Sequence, residues 1–147
     1  MKCVMLALVL SLFVSCSKDE VPDYVTLNDE EITDYIAENN LDATKSVSGL
    51  YYVIDEEGTG EQPTITSNVT VAYKGYFTNG SVFDESDSLT YDLDRFIAGW
   101  REGFTYFKEG GSGKLLVPSH LGYGNDGIRG IPGGAVLIFD ISLISVN

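Results

Sequence analysis

The sequence predicts an α+β domain: a strand-rich antiparallel sheet crossed by one short helix and preceded by an N-terminal helical extension. Three observations carry that expectation. In "VTVAYKGYFTNGSVFDES", Val69, Val71, Tyr73 and Gly75 alternate with Thr70, Ala72, Lys74 and Tyr76. The run leads to Asn79-Gly80, a favoured two-residue hairpin pair, so a strand, a tight turn and a returning strand are expected. In "AGWREGFTYFKEGG", Trp100, Phe104 and Phe107 are spaced for one helical face and Gly110-Gly111 end it. No strand–helix–strand alternation and no internal repeat occurs, which argues against a parallel sheet.

Taken in order, the chain opens on "MKCVMLALVLSLFVS", where Lys2 precedes an apolar run from Val4 to Val14. The run is too short for an ordinary membrane-spanning helix and reads as a secretion leader, residues 1–15. At its end, "LFVSC" resembles the lipobox of bacterial lipoproteins, which implies lipidation of Cys16; Phe13 stands where an aliphatic residue is usual. The alternative is a free thiol behind an ordinary signal peptide. Cys3 and Cys16 are the two cysteines of the chain. The part after the leader therefore has no disulfide framework and must rest on a hydrophobic core. Removing 15 of the 147 residues leaves 132, enough for one domain. Residues 16–27, polar and containing Pro22, read as an acidic tether, and "SKDE" resembles a signal that sends some Gram-negative lipoproteins to the cell surface.

The helical extension is expected over 28–45. In "NDEEITDYIAENNL", Asn28 or Asp29 can cap a helix whose Ile32, Tyr35 and Ile36 share a face and which ends near Asn39-Asn40. The main domain then occupies 46–147. "GLYYVIDEEG", residues 49–58, is expected to supply a first strand and turn, and "GKLLVP" and "AVLIFDISLISV" the last two strands. About seventeen residues between those two contain almost no helix or strand former, and a loop of that length in a compact domain is usually functional.

That loop contains Gly122-x-Gly124-x-x-Gly127 after an apolar strand, the spacing of a dinucleotide-binding turn. Such a turn needs a helix to begin at the glycines. Gly130, Pro132, Gly133 and Gly134 follow instead, and interior Pro and Gly cost a helix ~3 and ~1 kcal/mol relative to Ala. The dinucleotide reading fails on that ground. A formal net charge of −13 makes nucleic-acid phosphate an unsuitable partner. His120, the one histidine, has no cysteine beside it, so neither a zinc site nor a Ser-His hydrolase is supported. Asp84 in "FDESDS" lacks EF-hand spacing, which disfavours calcium.

With these elements placed, "VTVAYKGYFTNGSVFDES", "FIAGWREGF", "GKLLVPSHLGYG" and "IPGGAVLIFDISLI" resemble, in order and spacing, the motifs of FKBP-type peptidyl-prolyl cis-trans isomerases over roughly residues 49–147. The resemblance implies a curved five-stranded antiparallel sheet wrapped around one short helix, with the glycine-rich loop as a flap over an apolar proline pocket. It implies substrate-binding roles for Tyr73, Phe83, Tyr91, Phe96, Trp100, Ile131 and Phe139. Catalytic roles fall to Asp84, which orients the pocket, and to the Ile97 N–H and Tyr123 hydroxyl, which hold substrate carbonyls. Tyr91, where Phe is more usual, and Phe96, where a Val-Ile pair more often stands at 96–97, depart from the family's usual residues. Gly133 replaces a second proline at the flap tip, from which a more mobile flap is expected.

The function so implied is rotation of X–Pro bonds in exported proteins, without cofactor or metal. The expected partners are proline-containing polypeptide clients, macrolide inhibitors of the family, and a membrane reached through the lipid anchor, with no nucleic acid. The expected place is the envelope of a Gram-negative bacterium, at the outer membrane. Two other readings remain: a non-catalytic module that grips proline segments, and a purely structural lipoprotein that would leave the pocket residues unnecessary.

Overall fold

The computed structural model describes residues 20–147; the leader, Cys16 and the start of the tether lie outside the described residues. Helix α1 runs Tyr24–Glu38, followed by strands β1 (Thr44–Lys45), β2 (Tyr51–Glu56), β3 (Asn68–Tyr76) and β4 (Val82–Asp92). Helix α2 (Ala98–Gly103) and strands β5 (Ser112–Val117) and β6 (Leu137–Val146) complete the chain. All strand pairs are antiparallel, in the order β1-β2-β5-β6-β3-β4. The sheet thus has six strands rather than five, because the two-residue β1 adds itself beyond β2. The outer strands β1 and β4 each have one neighbour.

Helix α1 begins four residues before the expected Asn28. Asp23 is its N-cap and accepts hydrogen bonds from the Thr26 N–H (3.4 Å) and hydroxyl (2.7 Å). Asn28 is therefore not a cap, and residues 24–27 are helix rather than tether. The far end closes as expected for Asn-Asn: Asn40 takes φ +51°, and the Leu41 N–H reaches back to the Ile36 carbonyl at 3.0 Å. This is a left-handed helix stop, in which the returning N–H satisfies a last-turn carbonyl. Thr44–Lys45, inside the expected extension, belong to the sheet.

Each face of the sheet is covered by one helix. On the first, Val69, Val71, Leu115, Val117, Leu137, Phe139 and Ile141 pack with Trp100, Phe104 and Phe107 of the α2 region. On the second, Tyr51, Val53, Leu116 and Ile138 pack under Ile32 of α1, with Tyr35 and Ile36 beside it. Central strands β5 and β6 send residues to both layers, which is why they read as continuous apolar runs. Helix α2 lies close on β5. A Cβ at Gly99 or Gly103 would come within 2.6 Å of Val117 or 2.7 Å of Leu115.

The β3–β4 connection differs from the two-residue turn expected of Asn79-Gly80. The Phe77 N–H bonds the Ser81 carbonyl (3.0 Å) around a three-residue loop, and Gly80 alone in it has positive φ, +87°. A two-residue type I′ turn needs positive φ at both central residues, and Asn79 does not adopt it.

Candidate active site

Six segments converge on one side of the sheet. Tyr73 comes from β3, Phe83 and Asp84 from β4, Phe139 from β6, Phe96 and Ile97 from the approach to α2, Trp100 from α2 itself, and Tyr123 from the long β5–β6 loop. With Leu89 and Arg95 they line a cavity of about 220 Å³. Phe83 and Asp84 are sequence neighbours, so a regular strand would aim them to opposite faces. A register shift between Gly75 and Tyr76, where the partners on β4 are Asp84 and Val82, leaves Phe83 as an extra residue. Such a bulge re-aims side chains, and here both neighbours face the cavity.

The walls are built from aromatic edges. Trp100, 3% exposed, meets Tyr73 at 4.9 Å and Phe139 at 5.2 Å between ring centroids, both edge-on, and Phe96 at 4.7 Å. Phe83 meets Phe139 edge-on at 5.6 Å. Each contact of this kind adds ~0.5–1.5 kcal/mol beyond area burial. The Trp100 Nε1–H is buried without a hydrogen-bond partner among the described residues.

The polar groups are few. The Tyr73 hydroxyl donates to Asp84 Oδ2 at 2.7 Å. Burial first, and then this bond to the carboxylate, push the Tyr73 hydroxyl well above the usual tyrosine range. Burial, with the Asp84 charge adding to it, raises Tyr123 as well. Both phenols are therefore protonated donors at neutral pH. The Ile97 carbonyl accepts the Trp100 and Arg101 N–H groups, while the Ile97 N–H has no backbone partner among the described residues. The site thus offers an aromatic box with two free or freeable donors and one carboxylate, an arrangement for holding a flat, uncharged amide. No group of three His, Cys, Asp or Glu side chains suited to a metal occurs among the described residues.

Two expected pocket residues lie elsewhere. Tyr91, 43% exposed on edge strand β4, stands behind the wall, its ring 5.3 Å from Phe96 and 5.9 Å beneath the Arg95 guanidinium. Ile131 is buried in the core and faces an adjoining recess with Phe83, Asp84, Tyr123 and Ile128. Leu89 and Arg95 line the cavity without having been expected; alternation from Phe83 along β4, allowing for bulges, is the signal that points to Leu89. At Gly133 a Cβ would fall 1.9 Å from the Asn125 carbonyl oxygen. In this loop conformation the position has no room for a side chain. A larger hollow of about 440 Å³ lies between α1, β1 and the loop root, lined by Asp29, Glu30, Lys45, Ser48 and His120 among others. It has no aromatic wall, so the smaller cavity is the better candidate.

Comparison with known proteins agrees with this geometry. The sequence profile of the FKBP-type peptidyl-prolyl cis-trans isomerases matches residues 59–144. The isomerase FkpA of Buchnera aphidicola subsp. Schizaphis graminum is 44% identical over 109 residues, covering 71% of this chain and 43% of the relative. FkpA of Escherichia coli strain K12 is 42% identical over 106 residues, covering 69% of this chain and 39% of the relative. The chain spans roughly two fifths of the length of these relatives. The crystal structure of E. coli FkpA superposes with a TM-score of 0.75 at 36% identity, covering 84% of this chain and 61% of that one. A Pseudomonas syringae isomerase superposes with a TM-score of 0.76 at 26% identity, covering 84% and 93%. An antiparallel sheet packed on one short helix, an aromatic cavity beneath a glycine-rich flap, and these matches place the chain in the FKBP-type peptidyl-prolyl cis-trans isomerase family.

Proposed function

We propose that this chain is an active prolyl isomerase that assists the folding of exported proteins from a lipid anchor in the envelope of a Gram-negative bacterium. The observation that carries the activity is the Tyr73–Asp84 hydrogen bond set into an aromatic box whose floor is Trp100. Amide rotation has a barrier of ~18–20 kcal/mol because it breaks conjugation, and X–Pro bonds populate both isomers. A dry aromatic cavity favours the twisted amide, which is less conjugated than either planar form. The Ile97 N–H and Tyr123 hydroxyl hold the carbonyls that flank the proline ring, and Asp84 fixes the Tyr73 wall. No nucleophile is needed, and each tenfold acceleration asks ~1.4 kcal/mol of differential stabilisation.

Proline-containing segments of unfolded exported chains are the proposed clients, and macrolides of the kind that inhibit the family would compete for the same cavity. The leader and the lipobox-like "LFVSC" support lipidation of Cys16 and placement at the outer membrane. The deciding experiment is a protease-free cis-to-trans assay on X–Pro peptides with varied X, using Asp84→Ala and Tyr123→Phe as controls. Catalysis that falls in folded variants is expected. A folded protein that leaves the spontaneous rate unchanged would sink the enzyme and leave a proline-binding module, which the Tyr91–Phe96–Trp100 stack beside the entrance would then serve. Lipidation is read separately: fatty-acid labelling and membrane fractionation should both be lost in Cys16→Ser.

A further inference from the structure

The flap is closed at its root by a residue from outside the isomerase domain. Asn28 of α1 is 1% exposed, and the other buried polar residue of the described chain is Ser119, 2% exposed. The Asn28 Oδ1 accepts the Ser119 N–H at 2.8 Å, and its Nδ2 donates to the Gly134 carbonyl at 2.9 Å. Ser119 and Gly134 are the two ends of the flap. Between them the Gly124 N–H donates to the Ser119 carbonyl at 2.8 Å, and the Gly134 N–H to the Gly124 carbonyl at 2.9 Å. Asn28, Ser119, Gly124 and Gly134 thus form one closed ring in which each member donates once and accepts once. Tyr123, whose side chain lines the cavity beside Asp84, is the residue before Gly124.

We propose that Asn28 is a positioning residue of the isomerase site: by closing this ring it fixes the flap, and through Gly124 the Tyr123 hydroxyl, over the proline cavity. The catalytic consequence rests on the isomerase reading; the effect on the flap does not. An apolar side chain of similar size would fill the space but leave the Ser119 N–H and Gly134 carbonyl buried without partners, and such groups are costly in an interior. Asparagine is suited to the place because one carboxamide both donates and accepts. The fit is close: Gly134 has φ +75°, and a Cβ on it would fall 2.0 Å from the Tyr24 ring of the same helix. Helix α1 is therefore a strut under the flap as well as a cover for the second face of the sheet. Pre-organising a donor in this way acts on the reaction without touching substrate.

The test uses the full chain with Asn28→Ala and Asn28→Asp. Ile32→Ala serves as a control that removes a buried contact from α1 without touching the ring. Peptide kcat/KM and amide hydrogen exchange at Gly124 and Gly134 are measured well below the melting temperature. Asn28→Ala should lower kcat/KM roughly tenfold and speed exchange at both glycines, while Ile32→Ala lowers stability and leaves kcat/KM near the parent value. Asn28→Asp should behave like the alanine variant above neutral pH and recover as pH falls, because only a protonated carboxyl can donate to the Gly134 carbonyl. The other titratable groups nearby, Asp23 at the N-cap, Tyr24 and Asp29 on α1, Lys45 and Tyr51 packed against it and His120 beside Ser119, are common to parent and variant, so the acid-side recovery is read as a difference. Should Asn28→Ala fail to fold, the aspartate variant carries the comparison. Loss of stability in Asn28→Ala with kcat/KM and glycine exchange within about twofold of the parent would overturn the proposal. If the parent itself is inactive, the isomerase reading falls, and flap exchange alone decides whether Asn28 holds the flap.

Discussion

Removing the two ends of the Tyr73–Asp84 bond, singly and together, tests whether the pair works as a unit. The hydroxyl lies 2.7 Å from the carboxylate oxygen. A hydrogen bond to a charged group contributes ~1.5–3 kcal/mol when well sheltered. Asp84 is exposed, so solvent screening brings the coupling expected here down to ~1 kcal/mol. That is about a fivefold change in the unfolding equilibrium. Tyr73→Phe keeps the ring and its edge contact with Trp100, so it should cost little more than the bond. Asp84→Ala leaves a half-buried phenol without its acceptor and should cost at least as much. Trp100 is the chain's single tryptophan, 3% exposed and packed on Tyr73, so its fluorescence in urea reports unfolding of the region concerned. Each variant should lower kcat/KM several-fold, and the double variant should lose less than the sum of the two. Additive losses, with a coupling within ~0.3 kcal/mol of zero, would refute the idea that Asp84 acts by fixing the Tyr73 wall.

Two further outcomes follow from the geometry. Gly103→Ala places a methyl 2.7 Å from both Leu115 methyl carbons in a fully buried layer; overpacking of ~1–3 kcal/mol exceeds the ~1 kcal/mol gained in helix propensity, so urea titration should show a net loss of stability, and a gain would contradict the packing account. Because burial raises the Tyr73 and Tyr123 hydroxyls in the folded chain, stability from these groups is present below the unfolded tyrosine value of ~10 and declines only as pH rises past it. A kcat/KM profile that is flat between about pH 6 and about pH 9 is therefore expected, and a midpoint near neutrality would mean that another group carries the reaction.

The hairpin alternation of β3 and the apolar runs of β5 and β6 were legible in the sequence because local period and burial coincide there. So were the aromatic positions that the structure gathers into one cavity, through ordered motifs rather than through any one residue. Trp100, Phe104 and Phe107 do share the core, but the α-helix ends at Gly103 rather than at Gly110-Gly111, Phe104 opens a 3-10 turn and Phe107 follows it in extended backbone. Less was legible at the N-terminal side. "VPDYVTL" carries Pro22, Asp23 and three β-branched residues, a composition that reads as tether, yet the Asp23 cap and packing of Tyr24 against Gly134 make its second half helical. Asn28 looked like a cap because its actual partners lie 91 and 106 residues away, beyond any local pattern. The bulge at Phe83 was equally hidden, since it is defined by register against β3 and not by residue type.

The order of strands also bears on the proposed handling of unfolded chains. A protein that handles unfolded chains is surrounded by extended segments with unpaired backbone groups, and any open sheet margin invites them to add on. Here one margin is the two-residue β1, too short to template a partner. The other, β4, is eleven residues long but is interrupted by register shifts and carries Asp84, Glu85, Asp87 and Asp92. A kinked, negatively charged border repels a second copy of itself and resists strand addition. On the proposed isomerase reading, such margins would leave the aromatic cavity as the place where extended polypeptide binds, and from which it can leave again.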